Sequence, residues 1–302
     1  MRTEVYRGRF APSPTGPLHF GSLVAAVGSF LQARRAGGEW LVRMEDIDPP
    51  REMPGAADLI LRTLEAHGLE WDGAVLYQST RSDAYDYMLD QLLRTDAVYR
   101  CTCSRKEAAT AAVRAGLPPG IYPGTCRLGA SARRRRYSLR VRTEGQSVTF
   151  EDVLQGRIVH QLDREVGDFV VRRADGLYAY QLAVVADDAE QGITEVVRGS
   201  DLLDSTTRQI HLQHLLSLPT PVYMHLPVAV NAHGEKLSKQ TGAPALDPQD
   251  PQPALFQALR FLGQTPPPEL RTAALPELWD WAIAHWRGDR IPKRRAAPSP
   301  DS

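Results

Sequence analysis

The sequence has little cysteine, no net charge and no long apolar run, and each shortage narrows what the chain can be. Only three of its 302 residues are cysteine. Cys101, Cys103 and Cys126 are an odd number of thiols in one short stretch, which argues against a disulfide framework and leaves a metal knuckle or plain buried thiols. Lysine plus arginine equals aspartate plus glutamate at 36 each. A protein that coats nucleic acid through bulk charge is basic, so any such contact here must come from a local patch. Arg133–Arg136 and Lys293-Arg294-Arg295 are candidates, although either run read alone is a solvated loop or tail. The apolar stretches fall well short of a membrane span, and Leu182–Ala186 is cut off by Asp187 and Asp188. Residues 1–30 lack a basic start followed by an apolar core and a cleavage site, so the expected location is the cytoplasm. A hydrophobic content of 42% with 24% charge is that of a folded globular protein, with room for one large domain or two medium ones.

Periodicity gives an alternating layout. Val5–Ala11 reads as a strand entering a Pro/Gly-rich turn, and Gly21–Arg35 as a helix that Gly37-Gly38 ends. Trp40–Met44 is a strand closing on Glu45-Asp46-Ile47-Asp48-Pro49; Pro54–His67 and Ser82–Thr95 are helices. This is the opening of a doubly wound α/β fold. From Tyr99 to about Asp175 the rhythm breaks into an insertion rich in β structure, with alternation over Tyr137–Arg142 and Phe169–Arg172. It resumes with a helix from Tyr178, a strand over Ile193–Arg198, a helix over Leu203–Leu216 and a strand region over Val222–Val230. Pro251–Leu262 and Leu275–Trp286 are terminal helices; the basic, Pro-rich Arg287–Ser302 reads as disordered.

Two strings carry chemistry. Arg9-Phe10-Ala11-Pro12-Ser13-Pro14-Thr15-Gly16-Pro17-Leu18-His19-Phe20-Gly21-Ser22 joins a strand to a helix N-terminus, where free backbone N–H groups can take phosphate. His19 can donate to a phosphate oxygen, and Gly21 permits close approach of a nucleotide to the backbone. Lys236-Leu237-Ser238-Lys239-Gln240 puts two lysines on a loop between Gly234 and Gly242, able to neutralise charge developing on pyrophosphate. Taken singly, the first is an ordinary strand–helix connection and the second a solvated charged loop.

Together, His19-Phe20-Gly21-Ser22 resembles the HIGH element of class I aminoacyl-tRNA synthetases and Lys236–Gln240 resembles their KMSKS loop. Both depart from consensus, with Ser22 in place of the second histidine and Leu237 and Gln240 in place of Met and Ser. Ser22 can still hydrogen-bond ATP but cannot carry charge. Arg9–Gly16, Arg43–Asp48, Tyr180–Asp188 and Val196–Leu202 are similar to the glutamyl branch of that family. The resemblance runs from about Val5 to Leu262. It implies a class I Rossmann-type doubly wound parallel sheet with an inserted subdomain. It also implies ATP-dependent activation of L-glutamate to an acyl-adenylate, with Mg-ATP as a substrate. His19, Lys236 and Lys239 would be catalytic, and Pro12, His19, Gly21, Ser22, Lys236 and Lys239 would bind ATP. Arg9, Phe10, Ala11, Pro12, Ser13, Glu45, Tyr180 and Arg198 would line the glutamate site. Glu45 would pair with the ammonium, and Arg9 and Arg198 would each take a carboxylate, Arg9 that of the side chain. Outside this frame, Arg9 and Glu45 are simply a strand-end ion pair. Cys101, Cys103, Tyr122 and Cys126 resemble the family's zinc knuckle; water or a nearby histidine would be the conservative alternative to Tyr122 as the fourth ligand of one structural zinc ion.

The resemblance divides the chain into a catalytic domain at 1–98 and 176–240, an acceptor-binding-like insertion at 99–175 and a short helical C-terminal part at 241–287, with a tail at 288–302. The stretch after the lysine loop is too short for a second RNA-binding domain with its own core. The chain therefore resembles the truncated glutamyl-Q tRNA(Asp) branch of the family. That branch activates glutamate without tRNA and transfers it to queuosine at the wobble position of tRNA(Asp), and a monomer is expected. A flipped-out modified base can be gripped locally, in keeping with a neutral chain. The alternatives are a truncated discriminating glutamyl-tRNA synthetase, a class I adenylyltransferase acting on a small acid without RNA, and a non-catalytic paralogue.

Overall fold

The computed structural model describes residues 5–118, 120–131, 133–237 and 243–299. The strand–helix–strand opening is present as β1 (Arg7–Phe10), α1 (Phe20–Arg35) and β2 (Glu39–Met44), followed by α2 (Ala56–Ala66), β3 (Leu76–Tyr77) and α3 (Ser82–Arg94). β1, β2 and β3 pair in parallel, with Arg9 opposite Leu41 and Arg43 opposite Leu76. After α1 the chain turns back so tightly that a Cβ on Gly38 would sit 2.3 Å from the Tyr6 carbonyl oxygen, so only glycine fits.

The middle of the chain supplies β4 (Val98–Cys101), α4 (Arg105–Arg114), β5 (Ser138–Val141), β6 (Ser147–Asp152), β7 (Gly156–Gln161), α5 (Leu162–Glu165) and β8 (Val170–Arg172). β4, β5 and β8 form an antiparallel sheet. The β structure expected in this stretch is there, together with a helix the periodicity did not show. α4 starts at Ser104, whose Oγ accepts the Glu107 N–H at 3.2 Å while the Glu107 carboxylate accepts the Ser104 N–H at 2.7 Å. The Ser-x-x-Glu spacing of this reciprocal cap was its signal.

Alternation then resumes as α6 (Tyr180–Glu190), β9 (Glu195–Gly199), α7 (Leu203–Leu215), β10 (Val222–Leu226) and β11 (Val228–Val230), with α8 (Pro251–Phe261), α9 (Leu275–His285) and β12 (Ala296–Pro298) after the lysine loop. β9 and β10 are parallel, with Arg198 opposite His225. β6 joins β10 in parallel at Asp152 and Tyr223, which carries the β6–β7 hairpin into this sheet. Arg7 and Thr194 exchange two hydrogen bonds of 2.9 Å, which lay β1 beside the start of β9.

One core packs α1, α2, α8 and α9 on one side of the parallel strands, and a second packs α3, α6 and α7 on the other. That is the doubly wound arrangement. α1 is buried on most of its circumference, from Leu23 and Val24 round to Phe30, Leu31 and Ala33, because α8 and α9 cover the side that faces away from the sheet. It also presses on β10: a Cβ at Gly28 would lie 2.5 Å from Leu226 Cδ1. No helix among the described residues is long and apolar enough to cross a membrane.

The segment read as a disordered tail differs most from expectation. Through Ser299 it is described, and Ala296–Pro298 pairs in parallel with Val228–Val230. The Arg295 carbonyl accepts from the Val228 N–H and the Ser200 hydroxyl, and Ile291 and Ala297 are buried. Composition suggested disorder because the run is basic and rich in proline. The energy of order comes instead from an unpaired strand edge and two apolar side chains, and Pro298 sits on the outer strand, where its missing N–H costs little.

Candidate active site

The C-terminal ends of β1, β2, β9 and β10 open on one cleft of about 1150 Å³. This is where a doubly wound sheet binds its ligands. The cleft gathers Arg9, Phe10, Ala11, Pro12, Ser13, His19, Gly21, Ser22, Glu45, Tyr180, Arg198 and Lys236. Lys239, expected beside them, lies outside the described residues.

His19 is the N-cap of α1. Its Nδ1 accepts the Ser22 N–H at 3.3 Å, and the Ser22 Oγ accepts the His19 N–H at 3.5 Å. The serine that looked like a departure from a two-histidine signature therefore closes the helix end that phosphate would approach. Lys236 pairs with Asp201 at 2.6 Å, and the Leu237 N–H bonds the Ala229 carbonyl at 2.8 Å, so the start of the lysine loop is anchored on β11.

Below the cleft lies a buried ionic network. Asp188, on α6, accepts from Arg9 Nε and Nη2 at 3.1 and 3.3 Å and from Arg43 Nη2. Arg43 also reaches the Gln191 side chain at 2.9 Å. Burial works against the charge on Asp188, but Arg43 and Arg9 hold its carboxyl below the usual range. Burial likewise disfavours the Arg9 charge, and Asp188 together with Tyr180 and Glu45 more than offsets it. Glu45, immediately after β2, is half-buried as a residue, but its Oε1 is covered and has no hydrogen-bond partner. Burial pushes its carboxyl up to about 7, against the pull of Arg43 and Arg9.

Arg198 sits at the end of β9 with its Nε and Nη2 engaged inside the protein, and its buried Nη1 has no partner. The uncommitted buried atoms of the cleft-lining residues thus include a carboxylate oxygen on Glu45 and a guanidinium nitrogen on Arg198, beside Oε1 of Glu52 and of Gln78. Such atoms are costly to bury unless a ligand satisfies them. An amino acid carries the two groups complementary to Glu45 and Arg198.

The chain matches the family model described as tRNA synthetases class I (E and Q), catalytic domain, over residues 5–275. The chain belongs to the class I (E and Q) tRNA synthetases. As a class I synthetase it is an ATP-using ligase. Among similar proteins, a glutamyl-Q tRNA(Asp) synthetase of Dechloromonas aromatica (strain RCB) is 59% identical over 290 residues, 96% of each chain. One of Chromobacterium violaceum is 55% identical over 292 residues, 97% of each. Among solved structures, a glutamate tRNA ligase from Elizabethkingia meningosepticum in complex with its amino acid superposes with a TM-score of 0.82 at 25% identity, covering 98% of this chain and 67% of that one.

In this class I synthetase the three cysteines converge. Their sulfurs lie within 4.8 Å of one another, Cys103 and Cys126 at 3.5 Å. Tyr122 Oη lies 3.4 Å from both Cys101 Sγ and Cys103 Sγ. Ligand–ligand edges in a tetrahedral zinc centre with sulfur donors are about 3.5–4 Å, so this donor set fits a metal ion of that kind. Cys103 also lines the cleft, which places the cluster in its wall.

Four residues that shape the site went unassigned in the sequence. Arg43 and Asp188 fell inside strings quoted for family likeness, and Asp152 and His225 carried no local pattern at all. A usable signal existed for Asp187 and Asp188: two adjacent acids on a helix otherwise apolar at Leu182–Ala186 must find buried cations or donors. Asp187 finds Gln78, Arg81 and Tyr85.

Proposed function

We propose that this synthetase activates L-glutamate with ATP in the absence of tRNA and then glutamylates queuosine at the wobble position of tRNA(Asp). A glutamate carboxylate oxygen attacks the α-phosphorus, the bond to the β-phosphate oxygen breaks, and pyrophosphate leaves. A hydroxyl of the cyclopentenediol then attacks the adenylate carbonyl, and AMP leaves. Glu45 Oε1 would hold the ammonium, Arg198 Nη1 and the Asp188-braced Arg9 would take carboxylates, and Tyr180 and Ser13 would complete the wall. His19 at its helix end, with Lys236 and Lys239, would meet the phosphates.

The observation that carries this reading is the pair of partnerless buried atoms, Glu45 Oε1 and Arg198 Nη1, in one cleft. The choice of acceptor is supported by the relatives' names at near-complete coverage in both directions. Radiolabelled glutamate is expected to enter tRNA(Asp) only when queuosine is present, and periodate treatment of the tRNA before the reaction, which cleaves the free cyclopentenediol, is expected to abolish labelling. Labelling of queuosine-free tRNA(Asp) or of tRNA(Glu) would reject the reading. Glutamate-dependent ATP–pyrophosphate exchange should proceed without any tRNA.

Cys101, Cys103, Cys126 and Tyr122 would hold zinc as a structural brace for the segment beside the acceptor. Metal analysis of the purified protein should find about one zinc per chain. Cys126→Ser should lower that content and the melting temperature together; full zinc retention in this variant would exclude the cluster as the site.

A further inference from the structure

We propose that Asp152 and His225 form a positioning relay that aims the Nη1 of Arg198 at a substrate carboxylate. The inference rests on the reading that Arg198 binds the acid. It starts from a buried line of side chains. Asp152 Oδ1 accepts three backbone N–H groups, those of Leu154 at 3.0 Å, Gln155 at 2.9 Å and His225 at 3.2 Å. Its Oδ2 lies 2.6 Å from His225 Nδ1, and His225 Nε2 lies 3.2 Å from Arg198 Nε. Asp152, His225 and Arg198 are all at least nine-tenths buried.

Donor and acceptor logic then orders the line. A carboxylate only accepts, so the imidazole proton sits on Nδ1 and the lone pair sits on Nε2, facing both the Arg198 Nε–H and the Thr206 hydroxyl at 3.0 Å. Burial keeps this imidazole neutral, holding it below its ordinary range against the pull of Asp152. Thr206 Oγ1 and Gln209 Oε1 accept from Arg198 Nη2 at 2.8 Å each. The guanidinium also lies over the Tyr223 ring, 5.5 Å from its centroid, and that ring stacks on His225. One edge of the fork is thereby locked and Nη1 is left for the ligand. The arginine and histidine face each other across the β9–β10 ladder. Asp152 comes from β6, so the hairpin contributed by the middle of the chain sets the aim of the arginine.

Asp152→Asn separates this role from mere packing. The three backbone N–H groups fix the oxygen of the new amide, which leaves its NH2 against Nδ1. The ring must then carry its proton on Nε2, which removes the acceptor that Arg198 Nε uses and leaves Thr206 Oγ1 as the group able to take the new proton. The expected result is a glutamate KM raised roughly ten- to hundredfold in pyrophosphate exchange, the loss of about one charge-assisted hydrogen bond, with the ATP KM within about twofold. Nitrogen-15 spectra of the ring should move from the Nδ1–H to the Nε2–H pattern. Two further variants keep the test open if Asp152→Asn folds poorly. His225→Gln can place an acceptor where Nε2 was and should hold the glutamate KM within about threefold. His225→Asn reaches Asp152 but not Arg198 and should raise it as Asp152→Asn does. The relay is rejected if both His225 variants are equally impaired, or if the ATP KM rises in parallel. Arg198→Lys distinguishes the two levels. An unchanged glutamate KM there overturns the binding reading and the relay with it, whereas a raised one beside a normal Asp152→Asn overturns the relay alone.

Discussion

Glu45→Gln should lose glutamate activation by about 3 kcal/mol, roughly 150-fold in kcat/KM for glutamate, because a buried ammonium would face an amide in place of a carboxylate. The same residue should give the wild type its pH dependence. With its carboxyl pushed up to about 7, Glu45 is protonated over much of the range just below neutrality. An ammonium held at Glu45 would require the ionised form, so the glutamate KM should fall as pH rises from 6 to 8, and affinity should weaken roughly tenfold per unit below 7. The slope should vanish in Glu45→Gln. Stability runs the other way. Between the ordinary carboxyl value of 4.5 and about 7 the folded chain holds a proton that the unfolded chain has released, so the contribution of Glu45 to stability decreases with rising pH across that window. Exchange assays at saturating ATP across this range check the first sign, and urea unfolding checks the second. A flat KM profile in the wild type would remove Glu45 from the ammonium site.

The second large effect is on the fold. Asp188→Ala leaves the guanidinium groups of Arg9 and Arg43 buried without their shared carboxylate. Removing one member of such a network costs about 3–5 kcal/mol, since the remaining charges keep their desolvation penalty. For a chain of this size that is a drop of roughly 5–15 °C in Tm. Because Arg43 and Arg9 hold the Asp188 carboxyl below the usual range, the wild-type contribution should persist into mild acid and fade only as pH falls through that lowered value. Asp188→Asn keeps an acceptor and should lie between wild type and Asp188→Ala. A destabilisation of Asp188→Ala below about 1 kcal/mol, the level of an exposed pair, would show that the network is hydrated in solution. Activity should fall as well, since Arg9 is held in the cleft by this carboxylate.

What could be read from the sequence was local. Arg9 stands next to last in β1, Ser13 and Glu45 follow β1 and β2 within three residues, and His19 caps the helix that β1 leads into, so their strings already state that they share a sheet end. Arg198 and Tyr180 stand at the end of β9 and the start of α6, where the same logic applies. The supporting layer was not legible, because each of its contacts joins distant segments: Asp188 to Arg9 and Arg43, Asp152 to His225. Sequence order says nothing about which buried acid meets which buried base. α4 escaped because its apolar face is weak and its start lies between cysteines that suggested a different kind of structure. The C-terminal strand escaped because composition reports what a segment can do alone, and this one is ordered by the edge of β11.

Gly28 gives the active site a mechanical property. It is the point where α1 rests on Leu226 of β10. Nine residues toward the helix start stands His19, about 13 Å along the axis. β10 also carries His225, opposite Arg198. A side chain at position 28 would act as a wedge between helix and strand, and would shift the His19 end of the cleft relative to the Arg198 end. The distance between those two ends is gauged by the thickness of a glycine in the core.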